Sequence, residues 1–292
     1  MSVKTYFSLD QAAEELFSSK IGTAFTVPGG DINRAFRMEL DGTPVFVKTN
    51  RKENLSFFET EAAGLAAIAG TRTIRVPEVF AIGTDDRYGA FLMMEWSEGR
   101  REKDFFRNFG RNLALMHKAD TQSLVPDERY GFSHDNFIGA SRQINRPADS
   151  WIAFFRDSRL EPQFRMASSW FDSRDRKAIT SLLDHLDDYL PEPEFPSLLH
   201  GDLWNGNYLI GNDGSAWLID PAAYVGCFEA DIAMTELFGG FPREFYDAYN
   251  EVNPLMPEYE DRKDLYNLYH LLNHLNLFGG SYLSSVKGII HR

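Results

Sequence analysis

The stretch LLHGDLWNGNYLIGNDGSAWLIDPAA, Leu198 to Ala223, decides how this chain is read. Leu198 and Leu199 read as a buried strand end, His200-Gly201 turns the backbone, and Asp202 projects from a loop with Asn207 in reach. Tyr208 to Ile210 and Ala216 to Ile219 are short apolar runs around Gly211-Asn212-Asp213-Gly214, residues that accept positive φ and make a tight reversal. The predicted hairpin returns Asp220 to the neighbourhood of Asn207.

An Asp, an Asn on the same loop and an Asp closing the next hairpin have the spacing of a phosphotransfer centre. A hydroxyl attacking a γ-phosphate needs a carboxylate to orient it and take its proton, the role that falls to Asp202. Asn207 and Asp220 supply hard oxygen donors suited to Mg²⁺ beside a triphosphate. Each residue singly also fits a turn in which it bonds its own backbone; the combined spacing favours the chemical reading.

His200 to Asn207 (HGDLWNGN) with Asp220-Pro221-Ala222 resembles the fructosamine kinase (ketosamine-3-kinase) family. The HGD-x4-N core is shared with aminoglycoside, choline and homoserine kinases of the protein-kinase-like fold. Leu203-Trp204, Tyr130-Gly131-Phe132, Asp135-Asn136-Phe137-Ile138-Gly139 and Trp151 to Gln163 (WIAFFRDSRLEPQ) carry the narrower likeness. The resemblance implies ATP and Mg²⁺ as cofactors, a small-molecule or protein-bound ketosamine as acceptor, and transfer to the sugar O3. The alternative within the fold is a small-molecule alcohol kinase for an aminoglycoside, choline or thiosugar. A glycosidase built on Asp202 and Asp220 leaves Lys48, Glu61 and the Gly-rich turn unexplained. A non-catalytic nucleotide-binding module requires loss of a phosphotransfer residue, and every expected one is present.

Composition narrows the classes further. The chain has 292 residues, 43% hydrophobic and 14% aromatic, enough for two lobes and a sizeable core. A formal charge of −13 argues against a nucleic-acid partner, which needs a basic face. No apolar run approaches the roughly 20 residues of a membrane helix, and MSVKTYFSLD has no signal-peptide character, so a cytoplasmic protein is expected. Cys227 stands alone, which excludes an internal disulfide and a Cys-based zinc site and suits a small buried apolar role. No obligate protein partner is evident.

Toward the N-terminus, Ser8 to Gln11 has capping-box form before a short helix. A strand near Ile21 to Val27, the turn Pro28-Gly29-Gly30-Asp31-Ile32-Asn33 and a strand near Ala35 to Leu40 follow. Gly29, Gly30 and Asn33 are candidates for a phosphate loop, with a plain hairpin turn as the other reading. Asp41-Gly42 turns the chain into Thr43 to Lys48, where alternation sets Phe46 and Lys48 on one strand face and Val45 and Val47 on the other. Asn54 is placed to cap a helix whose apolar stripe runs through Leu55, Phe58, Ala62, Leu65 and Ile68 and ends at Gly70. Glu61 on that helix is the expected partner of Lys48, the pair that places a triphosphate. Val79 to Ile82 and Ala90 to Met94 form another hairpin. Glu95-Trp96-Ser97 then reads as a hinge offering backbone groups to adenine.

Beyond the hinge the pattern turns helical over Asp104 to Ala119, Arg174 to Leu190, Glu229 to Phe238 and Asp261 to Phe278. Asp231 is read as a buried acceptor for the catalytic-loop backbone, and His117 as structural. Trp204 is either a packing anchor or the surface on which a sugar ring lies. His270 and His274, one helical turn apart, lack a third ligand for zinc and read either as core histidines or as residues that complete the acceptor pocket. Pro221-Ala222 leaves no room for a phosphorylatable activation loop before Glu229. The expected fold is the two-lobed protein-kinase-like α+β architecture: residues 1–96 a nucleotide lobe with a five-stranded antiparallel sheet and a helix, residues 97–292 a mostly helical acceptor lobe.

Overall fold

A computed structural model describes residues 3–28, 33–126 and 129–292. The N-terminal part contains β1 (Thr5–Tyr6), α1 (Leu9–Phe17), β2 (Ala24–Val27), β3 (Arg34–Leu40), β4 (Thr43–Asn50), α2 (Leu55–Gly70), β5 (Val79–Asp85) and β6 (Gly89–Glu95). The strands form one sheet in the order β1-β5-β6-β4-β3-β2, so it has six strands where five were expected. The additional strand, β1, runs parallel to β5, Thr5 against Ile82 and Tyr6 against Gly83. Two residues carry no readable period, which is why β1 is silent in the sequence.

Alternation on β4 works as predicted. Val45 and Val47 are buried in an apolar cluster with Leu9, Ala12, Met38, Phe91 and Met93, between α1 and one face of the sheet. Phe46 packs with the second cluster, Phe58, Ala62, Leu65, Leu92 and Met94, between α2 and the opposite face. Ser8 caps α1, its Oγ accepting the Gln11 N–H at 3.1 Å. The reciprocal half of the capping box is absent, because the Gln11 Oε1 takes the Phe7 N–H instead. Asn54 makes no side-chain cap on α2. A 3₁₀ turn, Lys52–Asn54, enters that helix, and the Asn54 amide donates to Asn50 Oδ1 at 2.9 Å.

The C-terminal part begins with α3 (Phe105–His117) and the hairpin β7 (Asn136–Ile138) and β8 (Ser141–Gln143). The WIAFFRDSRLEPQ stretch forms α4 (Trp151–Phe154), a π-helical turn at Phe155–Leu160 and α5 (Glu161–Met166). Then come α6 (Ser173–Asp184), β9 (Ser197–Leu199), β10 (Tyr208–Ile210), β11 (Ala216–Leu218), β12 (Tyr224–Gly226), α7 (Phe228–Leu237), α8 (Arg243–Val252), α9 (Tyr259–Phe278) and α10 (Leu283–Ile290). Helix α6 stops at Asp184, short of the expected Leu190, and a 3₁₀ turn at Leu186–Asp188 completes the segment. One large cluster, including Phe109, Leu113, Trp151, Phe155, Leu199, Ile232, Tyr266 and Leu272, forms the core of this part. No helix among the described residues is long and apolar enough to cross a membrane.

Contacts at the β10–β11 hairpin help to join the parts. The Asn212 side chain at the β10–β11 turn accepts the Glu98 N–H at 3.2 Å and donates to the Trp96 carbonyl at 3.0 Å. Leu218 N–H donates to the Arg75 carbonyl at 2.9 Å, and the Arg75 guanidinium lies 4.7 Å over the Trp217 ring. The turn that sequence reading needed for a reversal thus also fixes the segment after β6.

Candidate active site

Strand β4 carries Lys48 inward to a site where its side chain is 8% exposed. Its Nζ donates to Glu61 Oε1 on α2 at 2.7 Å and also to Asp220 Oδ1. Burial disfavours the ammonium, but the Asp220 and Glu61 carboxylates outweigh it and hold Lys48 protonated. Burial pushes the Glu61 carboxyl up, with Lys48 pulling the other way. The sequence paired Lys48 with Glu61; the contact with Asp220 was not foreseen, since nothing in spacing measures a distance across 172 positions.

Asp202 and Asn207 sit on the loop between β9 and β10. Asn207 Nδ2 donates to the Asp202 carbonyl at 2.8 Å and to its Oδ2 at 3.1 Å, which leaves the amide oxygen as the end available to a cation. Ile219 N–H donates to the Asn207 carbonyl at 3.1 Å, so the β10–β11 hairpin does bring Asp220 back to Asn207. Asp220 itself has φ 55°, a left-handed conformation that Asp tolerates better than most residues. Burial, with the charge of Asp220 added, pushes the Asp202 carboxyl up to about 7.

The loop backbone hangs on Asp231 of α7. Its Oδ2 accepts the His200 N–H at 2.6 Å and its Oδ1 the Gly201 N–H at 2.8 Å, the role read from the sequence. His117 completes the support, its Nε2 3.2 Å from Asp231 and its Nδ1 2.7 Å from the Tyr249 hydroxyl. His200 is held neutral by burial; its Nε2 donates to the Ile219 carbonyl at 2.9 Å while its Nδ1 accepts the Asp202 N–H at 3.3 Å. Gly201, at φ 81°, is required here, because a Cβ would lie 2.1 Å from the Ala222 carbonyl oxygen.

Other predicted site residues fall around this centre. Phe46 and Trp96 pack 6.1 Å apart, and the Arg37 guanidinium lies 5.5 Å over the Trp96 ring. Arg37 was missed, although it pairs directly with Phe46 across β3 and β4 and so shares its face. Ser97 Oγ donates to the Ile210 carbonyl at 3.0 Å, and Glu95 Oε2 accepts the Glu78 N–H at 3.3 Å. Asn33 Oδ1 accepts from Asn50 Nδ2 at 2.6 Å. Gly29 and Gly30 lie outside the described residues.

Trp204 is 39% exposed and makes an edge contact with Phe238, which packs 5.0 Å from His274. The structure therefore joins Trp204 and His274 through Phe238, a residue sequence reading did not single out. His274 Nδ1 donates to the His270 carbonyl at 2.8 Å, and its ring also meets Phe278 and Tyr282. His270 is buried beside Tyr269, and burial pushes its imidazole down to about 3.

One buried ammonium bonded to Glu61 and Asp220, with the Asp202 carboxyl coupled to Asp220, leaves an excess of negative charge that a divalent cation would offset. The donor set is a carboxylate, an amide oxygen and open space on the exposed side of Asp220, whose side chain is 44% exposed. That fits Mg²⁺, which keeps waters and phosphate oxygens as ligands and takes only one or two from protein.

A sheet lobe holding a Lys–Glu pair, linked to a helical lobe that supplies Asp202, Asn207 and Asp220, defines a kinase of the protein-kinase-like fold. An aminoglycoside phosphotransferase solved with ADP and hygromycin B shares that fold at a TM-score of 0.64 and 16% identity, covering 97% of this chain and 96% of that one. The family model for fructosamine kinase matches residues 6–292, and the chain belongs to that family. It is 42% identical to a Synechocystis protein named probable ketoamine kinase, over 88% of this chain and 85% of the relative. It is 40% identical to the chloroplastic protein-ribulosamine 3-kinase of Oryza sativa subsp. indica, over 94% and 79%. A crystal structure of a Thermobifida fusca protein named as a fructosamine-3-kinase superposes with a TM-score of 0.83 at 34% identity, covering 97% of each chain.

Proposed function

We propose that this protein transfers the γ-phosphate of ATP to the O3 hydroxyl of a ketosamine, with Asp202 as the base. The observation that carries the reading is the single ammonium of Lys48 shared between Glu61 and Asp220, with the Asp202–Asn207 pair on the neighbouring loop. Residues 1–96 hold the nucleotide and residues 97–292 the acceptor. Phe46 and Trp96 border the adenine, the hinge backbone around Glu95 and Ser97 reads its edge, and Lys48 holds the α- and β-phosphates. Asn207 and Asp220 would hold Mg²⁺, which when bound neutralises phosphate charge.

Asp202 accepts the proton of the acceptor hydroxyl as its oxygen bonds to the γ-phosphorus. The bond from that phosphorus to the β,γ-bridging oxygen breaks, and the electron pair leaves with ADP. Asn207 Nδ2 keeps the Asp202 carboxylate oriented, and the backbone bonds to Asp231 keep the loop in place. Trp204 and His274 line the acceptor side, the indole offering an apolar face to the C–H surface of a sugar ring. His270 supports His274 from behind through its carbonyl.

The test is to incubate the protein with Mg-ATP and a panel of ketosamines, aminoglycosides and choline, and to locate transferred phosphate by NMR. A 3-phosphate on ketosamines alone is expected. Phosphate on an aminoglycoside or choline in preference would overturn the acceptor assignment, and no transfer to any hydroxyl would overturn the chemistry.

A further inference from the structure

The segments Tyr130 to Gly139 and Trp151 to Gln163 carry the family likeness, yet they supply no group to the phosphate chemistry above. They converge on the backbone just after Asp220. Asn136 Nδ2, on β7, donates to the Ala223 carbonyl at 2.8 Å. Gln143 Nε2, on β8, donates to the Ala222 carbonyl at 2.9 Å and to Asn136 Oδ1 at 2.8 Å. Behind them, Asn145 Nδ2 donates to Asn136 Oδ1, Arg159 to Asn145 Oδ1, and the Tyr269 hydroxyl to Gln143 Oε1. Asn136, Gln143, Asn145 and Arg159 are all buried, so each of these bonds is shielded from water.

The same hairpin also touches α2. Phe137, pointing away from Asn136 by strand alternation, packs against Phe57 with ring centroids 3.9 Å apart and planes tilted by 37°. Phe57 lies one helical turn before Glu61. Gly64, on the same helix, packs against Pro221 and Ala223 so closely that a Cβ there would stand 3.1 Å and 3.3 Å from their side chains. Glu61 and Asp220, the two partners of Lys48, are therefore each one step removed from one short hairpin.

We infer that the Asn136–Gln143 hairpin is a fixed brace that sets Asp220 and Glu61 in register around Lys48. In protein kinases a phosphorylated activation loop orders this arrangement. In this chain α7 begins eight residues after Asp220, which leaves no such loop between them, and the brace sets the register instead. Asn136 and Gln143 are positioning residues for Asp220, and Phe137 is one for Glu61. The inference rests on the reading of Asp220 as a metal-holding residue.

Binding, measured separately from turnover, tests it. ADP affinity is determined by calorimetry in Mg²⁺ and in EDTA for the wild type, Gln143→Met, Asn136→Ser, Phe137→Ala, Asp220→Asn and Arg262→Met, each well below its own Tm. Gln143→Met is expected to weaken Mg-ADP binding about tenfold, the equivalent of about one buried hydrogen bond, with the EDTA value within about twofold of wild type. Asn136→Ser makes the same cut at the Ala223 carbonyl in a milder form and is expected to move the same value in the same direction. Phe137→Ala is expected to weaken ADP severalfold in both conditions, because it acts through Glu61 and Lys48. Arg262→Met breaks a buried ion pair with Glu229 in α7, away from the hairpin, and is expected to lower Tm without altering either affinity. The brace is overturned if the asparagine and glutamine variants keep the full Mg²⁺-dependent gain while Asp220→Asn loses it, or if Arg262→Met loses that gain equally. If Asp220→Asn itself keeps the gain, the metal reading of Asp220 has failed instead.

Discussion

The two halves of this molecule bury their polar groups in opposite ways. The sheet half has one apolar cluster on each face, and among the described residues its buried charges are few: Lys48, directed at the site, and Asp85, which accepts the N–H groups of Leu9, Arg87 and Tyr88. The helical half has a single larger cluster threaded by buried His117, Asn136, Gln143, Asn145, Arg159, His200, Glu229, Asp231 and Arg262. Strand periodicity is enough to carry one lysine inward to Glu61 and Asp220. Holding the loop that carries Asp202 requires acceptors for its buried N–H groups, and Asp231 of α7 supplies them from far along the chain.

The largest effects are expected at Lys48 and Asp202. Lys48→Met should lower kcat about a hundredfold or more, with circular dichroism unchanged, because it removes the charge that steadies the leaving phosphates. Asp202→Asn should lower kcat by about 10²–10⁴ while Mg-ADP affinity, read by calorimetry, stays within about twofold. Near-wild-type kcat in the lysine variant would mean that the sheet half does not place the triphosphate.

A second measure separates stability from chemistry in the helical half. The Arg262 side chain is 7% exposed and bonds Glu229, itself wholly buried, through two nitrogens. Arg262→Met should cost about 3–5 kcal/mol in denaturant unfolding, because it leaves Glu229 buried without its cation. The KM values for ATP and ketosamine should not change. A variant with wild-type stability would show that this buried pair is offset by its own desolvation.

Trp204 sharpens the contrast at the acceptor side. Trp204→Ala should raise the ketosamine KM about fivefold and leave the ATP KM and Tm nearly unchanged, as lost contact with a sugar face would do. A variant that melts much earlier with KM intact would make Trp204 a packing partner of Phe238.

The smallest expected effect is at the edge of the helical half. Asp175 is bonded by Lys287 of α10 and by His291, the residue that follows it, and together they hold its carboxyl well below the usual carboxylate range. A depressed folded pKa stabilises above the unfolded value near 4 and is lost as pH falls through the folded one. Asp175→Asn should therefore lower Tm by about 2–4 °C at pH 7, and the gap should close progressively below about pH 4. A gap that is constant from pH 7 to pH 3 would attribute the effect to the helix cap rather than to charge.

Much of the site was legible in one stretch. The glycine-rich reversal between β10 and β11 dictates that Asp220 returns to Asn207, because φ, not packing, determines such turns. Alternation on β4 dictated that Lys48 and Phe46 share a face, and helical spacing placed Glu61 on the next element. Chain order alone did not disclose β1, which is too short to have a period, nor the capping of α2, where a 3₁₀ turn displaced Asn54.

Turn chemistry and residue period act over a few neighbours, so the sequence by itself determined the hairpin, the strand faces and the helix stripes. Tertiary structure decided what the side chains of Asn136 and Gln143 do, since they satisfy backbone carbonyls 87 and 79 positions away. It also decided that Asp220 joins Glu61 on Lys48, and that Phe238 links Trp204 to His274. A buried hydrogen bond is selected by which donors and acceptors lose water together, and only the folded chain determines that.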